Sequence, residues 1–207
     1  MRENTGKGAL PVSEACERNK VPIAAVLRNW LPAAADVLEI GSGTAQHVVW
    51  FAGEFPANRW QPSDTGEYLA IARARVAAEG GDNVADVIEL DVRRPFAMTQ
   101  QFDALFSANT LHFMSEAAGA SFFGLAGQAL LPGGVLVLYG PFNYGGEFTS
   151  PSNARFDQWL KSADPERGIR DMAWVTEQAT AAGLSLQDDV AMPANNRCLV
   201  WHKMTGD

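Results

Sequence analysis

The chain has 207 residues, 47% of them hydrophobic and 19% charged, and this length and composition predict one well-filled globular domain spanning residues 1–207. Its net charge of −8, without a cluster of basic residues, argues against nucleic acid or an anionic membrane surface as a partner. Because the two cysteines and three histidines are scattered and no apolar run is long enough for a membrane helix, we expect a cytoplasmic protein with reduced thiols and no metal site.

The first 20 residues are polar and charged, and we expect them to form an N-terminal arm or lid that orders over a ligand. Pro22 is then expected to open the first helix, because proline is tolerated in the first turn. Ile23, Leu27 and Trp30 recur at helical spacing and would form the apolar face of that helix.

A glycine turn follows the first predicted strand, residues 36–40. Gly41 and Gly43 lie two positions apart, and a periodic apolar segment at residues 47–52 predicts a helix directly after them. Such a turn lets a ligand approach the backbone where no Cβ intervenes, beside the free N–H groups of a helix N-terminus. The alternative is a plain strand-to-helix connection that happens to contain two glycines.

Strands and helices continue to alternate, which predicts an α/β fold with a mostly parallel seven-stranded sheet, helices on both faces and an antiparallel C-terminal hairpin. The expected strands are residues 58–64, 84–90, 102–107, 135–139, 184–190 and 197–202, and the expected helices are residues 68–79, 121–130 and 175–182. Residues 140–171 interrupt the alternation and are interpreted as a substrate-side insertion with a short helix at residues 157–161.

Polar residues follow the carboxyl ends of these strands, where open parallel sheets bind ligands. Asp64 is suited to accept both hydroxyls of a ribose, and Asp91 with Val92 is suited to an adenine ring. Each acid alone is also typical of a solvated turn or a helix cap, but together with the glycine turn they indicate a nucleoside-containing cofactor. The predicted contact residues are Glu39, Gly41, Ser42, Gly43, Asp64, Asp91, Val92, Ser107, Ala108 and Asn109.

The spacing of the glycines distinguishes two cofactors of this kind. A dinucleotide fingerprint, G-x-G-x-x-G, has a third glycine where this chain has Gln46, which argues against NAD. The pattern Glu39-x-Gly41-x-Gly43 resembles motif I of class I S-adenosylmethionine methyltransferases. That resemblance implies S-adenosyl-L-methionine as the cofactor.

Longer strings are more specific, among them Glu17-Arg18-Asn19-Lys20, Leu38-Glu39-Ile40-Gly41-Ser42-Gly43-Thr44, Trp60-Gln61-Pro62-Ser63-Asp64, Leu138-Tyr139-Gly140-Pro141-Phe142-Asn143-Tyr144 and Gly168-Ile169-Arg170-Asp171. They resemble the family called DUF938 or UPF0585 over nearly the whole chain, and the resemblance implies a Rossmann-like class I methyltransferase fold. The family usually has glycine at the position of Ala45. An alanine methyl would add bulk near the methionine end of the cofactor, but because alanine is small and can be helical we expect the site to be kept, and the open question is its affinity for the cofactor.

Candidates for catalysis lie just beyond the fourth and fifth strands. Methyl transfer from a sulfonium is an in-line displacement, so that positioning supplies much of the rate and a base is needed only when the nucleophile carries a proton. His112 is the candidate base, and its alternative role is to pack beneath the cofactor. Tyr139 and Asn143 are the other catalytic candidates, whereas His47 is expected to be structural.

The insertion mixes aromatic and hydrogen-bonding side chains, as a small-molecule pocket does, although a hydrophobic plug under a loop would also explain it. Arg18 and Asn19 are expected to close over the pocket and to contact the carboxylate of the cofactor. The predicted substrate-binding residues are Tyr144, Phe148, Ser150, Asn153 and Arg155.

The sequence thus predicts an S-adenosyl-L-methionine-dependent methyltransferase that acts on the O, N or S atom of a small-molecule substrate. One alternative is a catalytically silent module that keeps the fold and binds the same cofactor. The other is an NAD-dependent oxidoreductase, against which Gln46 argues. The oligomeric state is left open.

Overall fold

Strands and helices alternate along the chain in the computed structural model, which describes residues 10–94 and 100–205. Residues 1–9 of the expected arm lie outside the described residues. The strands are β1 (Asp36–Ile40), β2 (Arg59–Asp64), β3 (Ile88–Glu89), β4 (Phe102–Ala108), β5 (Leu130–Gly140), β6 (Leu184–Met192) and β7 (Asn196–Lys203). The helices are α1 (Glu14–Trp30), α2 (Gln46–Glu54), α3 (Gly66–Glu79), α4 (Glu116–Ala129), α5 (Pro151–Ala163) and α6 (Met172–Ala181).

The strands form one sheet in the order β3-β2-β1-β4-β5-β7-β6. The first five strands pair in parallel, whereas β7 runs antiparallel to both β5 and β6. The predicted α/β sheet with its antiparallel C-terminal hairpin is therefore confirmed. Strand order reverses between β1 and β4, and in such sheets the ligand-binding crevice opens beyond the carboxyl ends of the strands at this reversal.

Two apolar layers cover the two faces of the sheet, as the alternation of side chains along β1 requires. Val37 belongs to the layer that includes Phe51 of α2. Leu38, the next residue, belongs to the layer that includes Phe122 of α4 and Val175 of α6. Helices on both faces thus bury the sheet and leave its carboxyl edge as the place where polar residues collect.

Helix α1 begins earlier than predicted, because Ser13 and not Pro22 marks its start. The Ser13 hydroxyl accepts a hydrogen bond from the Cys16 N–H at 3.4 Å, which satisfies one of the free donors of the first turn. Pro22 lies inside the helix, where it lacks an N–H to donate. The buried face around Ile23 and Leu27 compensates for the lost bond by packing, so that residues 14–20 of the expected arm are helical.

Strand β3 is much shorter than the predicted segment 84–90. Among the described residues, the rest of the segment pairs with β2 through an isolated bridge between Val84 and Trp60, and the Leu90 N–H donates to the Asp64 carbonyl at 3.0 Å. Pro62 in β2 has no N–H with which to continue the ladder. The Gln61 side chain instead donates to the Asp86 carbonyl at 2.7 Å.

Two helices are longer than their sequence patterns predict because both have side-chain caps. The Ser115 hydroxyl caps α4 by accepting from the Ala118 N–H, so that the helix starts at Glu116 and not at residue 121. Ser150 caps α5 in the same way, and Pro151 fills its first helical position. The insertion therefore contains a full helix where only residues 157–161 were predicted to be helical.

Both cysteines carry free thiols, as expected. Cys16 is half-buried on α1, whereas Cys198 is buried in β7, and burial raises the pKa of the Cys198 thiol to about 12. Among residues 10–94 and 100–205, none of the helices has both the length and the apolar character needed to cross a membrane.

Candidate functional site

The glycine turn after β1 has one glycine that packing demands and one that faces open space. Gly41 has a φ of +76°, and a Cβ there would lie 2.7 Å from Cγ2 of Thr110. Gly43 has a φ of +57°, and a Cβ there would meet no described atom within 4 Å. The N–H groups of Gly41 and Ser42 both donate to the Ser63 carbonyl, at 3.0 and 2.9 Å. The turn is thus fixed to β2 on one side and leaves room for a ligand at Gly43.

Behind this turn lies a buried carboxyl group that lacks a full set of partners. Glu39 is only 2% exposed, and its Oε2 atom has no hydrogen-bond partner among the described residues. Burial is the main cause that raises the pKa of Glu39 to about 7, the Asp64 charge adds to it, and a hydrogen bond with Ser42 opposes it. An unpartnered buried oxygen of this kind is what a donor group of a bound cofactor would satisfy.

Asp64 stands at the carboxyl end of β2, next to the glycine turn as predicted. Its Oδ2 atom accepts from the Gly43 N–H at 2.5 Å and its Oδ1 atom from the Thr65 N–H at 2.7 Å. Burial raises the pKa of this carboxyl, and the two N–H donors act to lower it. Because each carboxylate oxygen has a second lone pair, both oxygens keep the capacity to accept a ribose hydroxyl.

Ala45 adopts the left-handed conformation, with a φ of +57°, at the position before α2. The residue is fully buried within the apolar layer that also contains Val48 and Phe51. A fully buried methyl cannot crowd a ligand that binds on the open side of the turn. The cost of alanine here is therefore one of backbone strain, because glycine adopts this conformation more readily.

The predicted adenine contacts, Asp91 and Val92, directly follow Leu90 at the end of the β3 segment. The Asp91 carboxylate is already held by the guanidinium of Arg93, with 2.8 Å from Nε to Oδ1 and from Nη2 to Oδ2. This fork is the main cause that lowers the pKa of Asp91. Arg93 is exposed, so that a ligand could displace it, and the pairing was not anticipated from the sequence.

At the end of β4, side chains and backbone tie three strands together. The Ser107 hydroxyl donates to the Ile40 carbonyl at 2.7 Å, and the Asn109 N–H donates to the Tyr139 carbonyl at 2.8 Å. Asn109 has a φ of +55°, and the Ala108 carbonyl accepts from Thr110. The Ser107 side chain is thus turned into the sheet, whereas the Asn109 bend shapes the rim of the crevice.

His112 lies in a short 3-10 helix after β4 and is only 3% exposed. Its ring contacts Phe113 and Phe156, with ring centroids 4.6 and 5.1 Å away. Burial, and to a smaller extent the charge of Arg170, lowers the pKa of His112 to about 4. The imidazole is therefore neutral near pH 7, and a Cβ added at Gly140 would lie 3.7 Å from its Nδ1 atom.

Of the two α1 residues predicted to reach the cofactor, only Asn19 points inward. Asn19 is buried and its Oδ1 atom lies 2.6 Å from Nε2 of His47, a buried histidine stacked on Phe51. Burial raises the pKa of the Tyr139 hydroxyl, and a hydrogen bond with Asn19 acts to lower it. Arg18, by contrast, has a largely exposed side chain paired with Glu14.

Asn143 connects β5 to the start of α6 through its backbone. Its N–H donates to the Arg170 carbonyl at 3.0 Å, and its carbonyl accepts from the Met172 N–H at 2.8 Å. The Asn143 side chain donates weakly to Ile169 O at 3.4 Å, and its Oδ1 atom has no partner among the described residues. Asn143 therefore anchors the insertion and keeps one free acceptor.

The predicted substrate residues do not converge in the structure. The Tyr144 hydroxyl donates to Asp189 at 2.7 Å, and Asn153 donates to the Asn195 carbonyl at 3.1 Å. Tyr144 and Asn153 thus hold the insertion against the β6–β7 hairpin, whereas Ser150 caps α5 within the insertion. The other two predicted residues, Phe148 and Arg155, are exposed.

A hydrogen-bond network over the glycine turn escaped the sequence analysis, and Gln46 is its centre. The Gln46 Oε1 atom accepts from the Ser13 N–H at 2.5 Å and from the Thr44 hydroxyl at 2.8 Å, and its Nε2 atom donates to Glu17 at 2.6 Å. This residue was considered only for the glycine it replaces. A polar residue at the start of an apolar helix was the available signal.

Arg75 of α3 completes this network from the other side. The Arg75 side chain is largely buried and donates to the Thr44 carbonyl and to the Pro11 carbonyl, both at 2.7 Å. The chain around residues 11–17 is thereby tied to the glycine turn. Two polar side chains, Gln46 and Arg75, thus hold this part of the expected arm against the glycine turn.

The sheet and the helices that cover it resemble the folds of solved Rossmann-like methyltransferase structures. One is the S-adenosylmethionine-dependent methyltransferase SibL, with a TM-score of 0.75, 20% identity, and coverage of 92% of this chain and 56% of that one. An O-methyltransferase family protein from Burkholderia thailandensis has a TM-score of 0.76 at 18% identity, with coverage of 94% and 59%. The mitomycin 7-O-methyltransferase MmcR has a TM-score of 0.76 at 14% identity, with coverage of 90% and 54%.

These likenesses define the class of fold, a Rossmann-like class I methyltransferase fold, which confirms the sequence prediction. The chain spans little more than half the length of the solved structures it matches. Residues 10–203 match the family described as "Protein of unknown function (DUF938)", and the chain belongs to that family.

Proposed function

We propose that the protein is an S-adenosyl-L-methionine-dependent methyltransferase that acts on a small-molecule acceptor. The observation that carries this proposal is the cradle at the β1–β4 reversal. There the buried Glu39 has an unpartnered oxygen, Asp64 keeps free acceptor capacity, and Gly43 faces open space. This set of acceptors fits a nucleoside joined to an amino acid, because both parts carry groups that donate to carboxylates.

Each part of the cofactor has a partner in the cradle. We assign the ribose hydroxyls to Asp64 and the amino-acid end to the glycine turn in front of Glu39. Asn109 at the rim and the buried Asn19 supply further polar contacts, and Val92 supplies the contact to the adenine ring. The bound cofactor provides an electrophilic methyl group on a sulfonium, and the remaining tasks belong to the protein.

Positioning is the main catalytic contribution that these residues support. The pKa of His112, lowered to about 4, keeps its imidazole neutral and able to accept a proton, but makes it a weak base. Burial raises the pKa of the Tyr139 hydroxyl, so that this group stays protonated and donates a hydrogen bond. A substrate whose methyl-accepting atom loses its proton easily suits His112 and Tyr139.

Binding without catalysis is the second candidate function, and one observation favours it. His112 is enclosed by Phe113 and Phe156, and this enclosure restricts its access to an acceptor. A protein that binds the cofactor but never presents an acceptor would keep the same cradle.

Methyl transfer from labelled cofactor to a broad metabolite extract separates the two functions. We expect a labelled small molecule to form with the wild-type protein and to be lost with Asp64→Ala. A protein that binds S-adenosylhomocysteine but yields no labelled product across the extract would support the silent module and contradict the enzymatic proposal.

A further inference from the structure

A separate cleft of about 450 Å³ lies between residues 165–171, the start of α4 and the start of α6. We call it the Arg170 cleft. Its lining includes none of the glycine-turn residues, so that it is distinct from the cradle. The volume lies within the range of small-molecule sites.

Arg170 gives this cleft a buried positive charge. Its side chain is 9% exposed, and its Nη2 atom donates to two backbone carbonyls, those of Met114 and Glu166. Its Nε atom has no hydrogen-bond partner among the described residues. Because arginine does not release its proton in proteins, the guanidinium remains charged and one of its N–H groups lacks a hydrogen-bond acceptor.

The carboxylates around the cleft neutralise this charge poorly. Within the described part of the chain, Arg170 forms its salt bridge with Glu116, at 3.7 Å from Nη1, and the Glu116 side chain is 69% exposed. That distance exceeds a hydrogen bond, and solvent screens the pair. The Asp171 carboxylate is occupied by the N–H groups of Gly146 and Ala173, at 2.7 and 2.9 Å. The charge of the buried Asp157 also acts on Arg170, but this carboxylate is paired with Lys161 at 2.6 Å. A buried charge whose counter-ions are exposed or already paired favours an anion from solution.

Apolar groups beside Arg170 indicate the rest of the ligand. The Trp174 ring lies 6.0 Å from the Arg170 guanidinium, and Pro165 and Ile169 also line the cleft. We propose that the Arg170 cleft binds a small organic anion, whose carboxylate meets the guanidinium and whose apolar body packs against Trp174. This site does not depend on methyl transfer, so that its test requires only binding.

A series of three compounds of similar shape and different charge tests the proposal on the wild-type protein. We expect benzoate to bind with a Kd on the order of 1 mM and to shift the indole NMR signals of Trp174. Benzamide, which lacks the charge, is expected to bind about tenfold more weakly. Benzylamine, the positively charged member of the series, is expected to bind more weakly than benzoate. Benzamide binding as tightly as benzoate, benzylamine binding more tightly than benzoate, or NMR signals that shift only around Gly43 would overturn the proposal.

A variant that keeps the fold provides a second test. Glu116 is exposed in the first turn of α4, and Glu116→Gln removes the carboxylate that competes for Arg170. We expect benzoate to bind this variant about two- to threefold more tightly than wild type. Glu67→Gln, in the first turn of α3, is the matched control and should leave the affinity unchanged. Unchanged or weaker binding by Glu116→Gln would contradict the assigned site.

Removal of the guanidinium is the most direct variant. Arg170→Gln should weaken benzoate binding about tenfold or more, provided that its melting transition shows a folded protein. A folded Arg170→Gln protein that binds benzoate as wild type does would refute the role of Arg170. Should this variant not fold, the charge series and Glu116→Gln still decide the proposal.

Discussion

Glu39→Gln should stabilise the ligand-free protein at alkaline pH, because it replaces a buried carboxylate with a neutral group of the same shape. Glu39 is 2% exposed, and its pKa is raised from 4.5 to about 7. The folded state thus holds the Glu39 proton more tightly than the unfolded state does. Its favourable contribution is complete below pH 4.5 and is lost as the pH rises through 7.

The size of the effect follows from this shift in pKa. A rise from 4.5 to about 7 corresponds to about 3 kcal/mol of stability lost between acidic and alkaline pH. Glu39→Gln should therefore unfold at a similar urea concentration to wild type at pH 5 and be more stable by up to about 3 kcal/mol at pH 8. The same variant should bind S-adenosylhomocysteine more weakly, because it removes the charge beside the glycine turn.

Urea unfolding at both pH values measures the difference directly. Glu89→Gln, an exposed acid on β3, is the control and should show no pH-dependent gain. Comparison of variant with wild type at each pH cancels the contributions of His47 and His112, whose lowered pKa values act in both proteins. A Glu39→Gln protein that is no more stable than wild type at pH 8 would refute the reasoning about the buried carboxylate.

Three further variants examine the cradle and the chemistry. Asp64→Ala should weaken S-adenosylhomocysteine binding by about 1–3 kcal/mol in calorimetry, and an unchanged affinity would show that Asp64 serves only the turn. Ala45→Gly should change the free energy of unfolding by less than about 2 kcal/mol. Glycine relieves the left-handed strain, but the variant loses a buried methyl group and gains freedom in the unfolded chain, so that these effects offset one another. A larger change in urea unfolding would contradict this balance. His112→Ala should lower turnover by about tenfold or less without altering cofactor affinity, because a base with so low a pKa contributes little. Because the pKa of His112 is about 4, protonation of this group should cause no loss of wild-type turnover as the pH falls from about 8 to about 5.5. A loss of turnover centred near pH 6.5 that disappears in His112→Ala would contradict a neutral, buried imidazole.

The sequence predicts the frame of the site well, because period and turn chemistry are local properties. The strand that ends before Gly41 and the strand that ends at Asp64 were placed correctly. Their parallel pairing brings the glycine turn and Asp64 together. Ala45 was recognised as unusual from the sequence, but the direction in which its methyl group points depends on packing. Only the structure shows that its methyl is buried in the apolar layer with Val48 and Phe51.

The sequence did not predict which side chains bond to one another. Nothing in the pattern around Asp91 indicates that Arg93 folds back to form a two-bond fork with it. Likewise, the contact between Gln46 and Glu17 joins residues 29 positions apart. The start of α1 was wrong for a related reason, because a cap at Ser13 and the burial of Ile23 outweigh the local preference of Pro22 for a first turn.

Ligand binding at the cradle is the central claim, and a melting-temperature titration tests it most directly. S-adenosylhomocysteine should raise the melting temperature of the wild-type protein in proportion to the logarithm of its concentration once the site is saturated, whereas NAD should have no effect. Loss of the S-adenosylhomocysteine effect in Asp64→Ala would place the ligand at the strand-end acid. Stabilisation by NAD and not by S-adenosylhomocysteine would contradict the account.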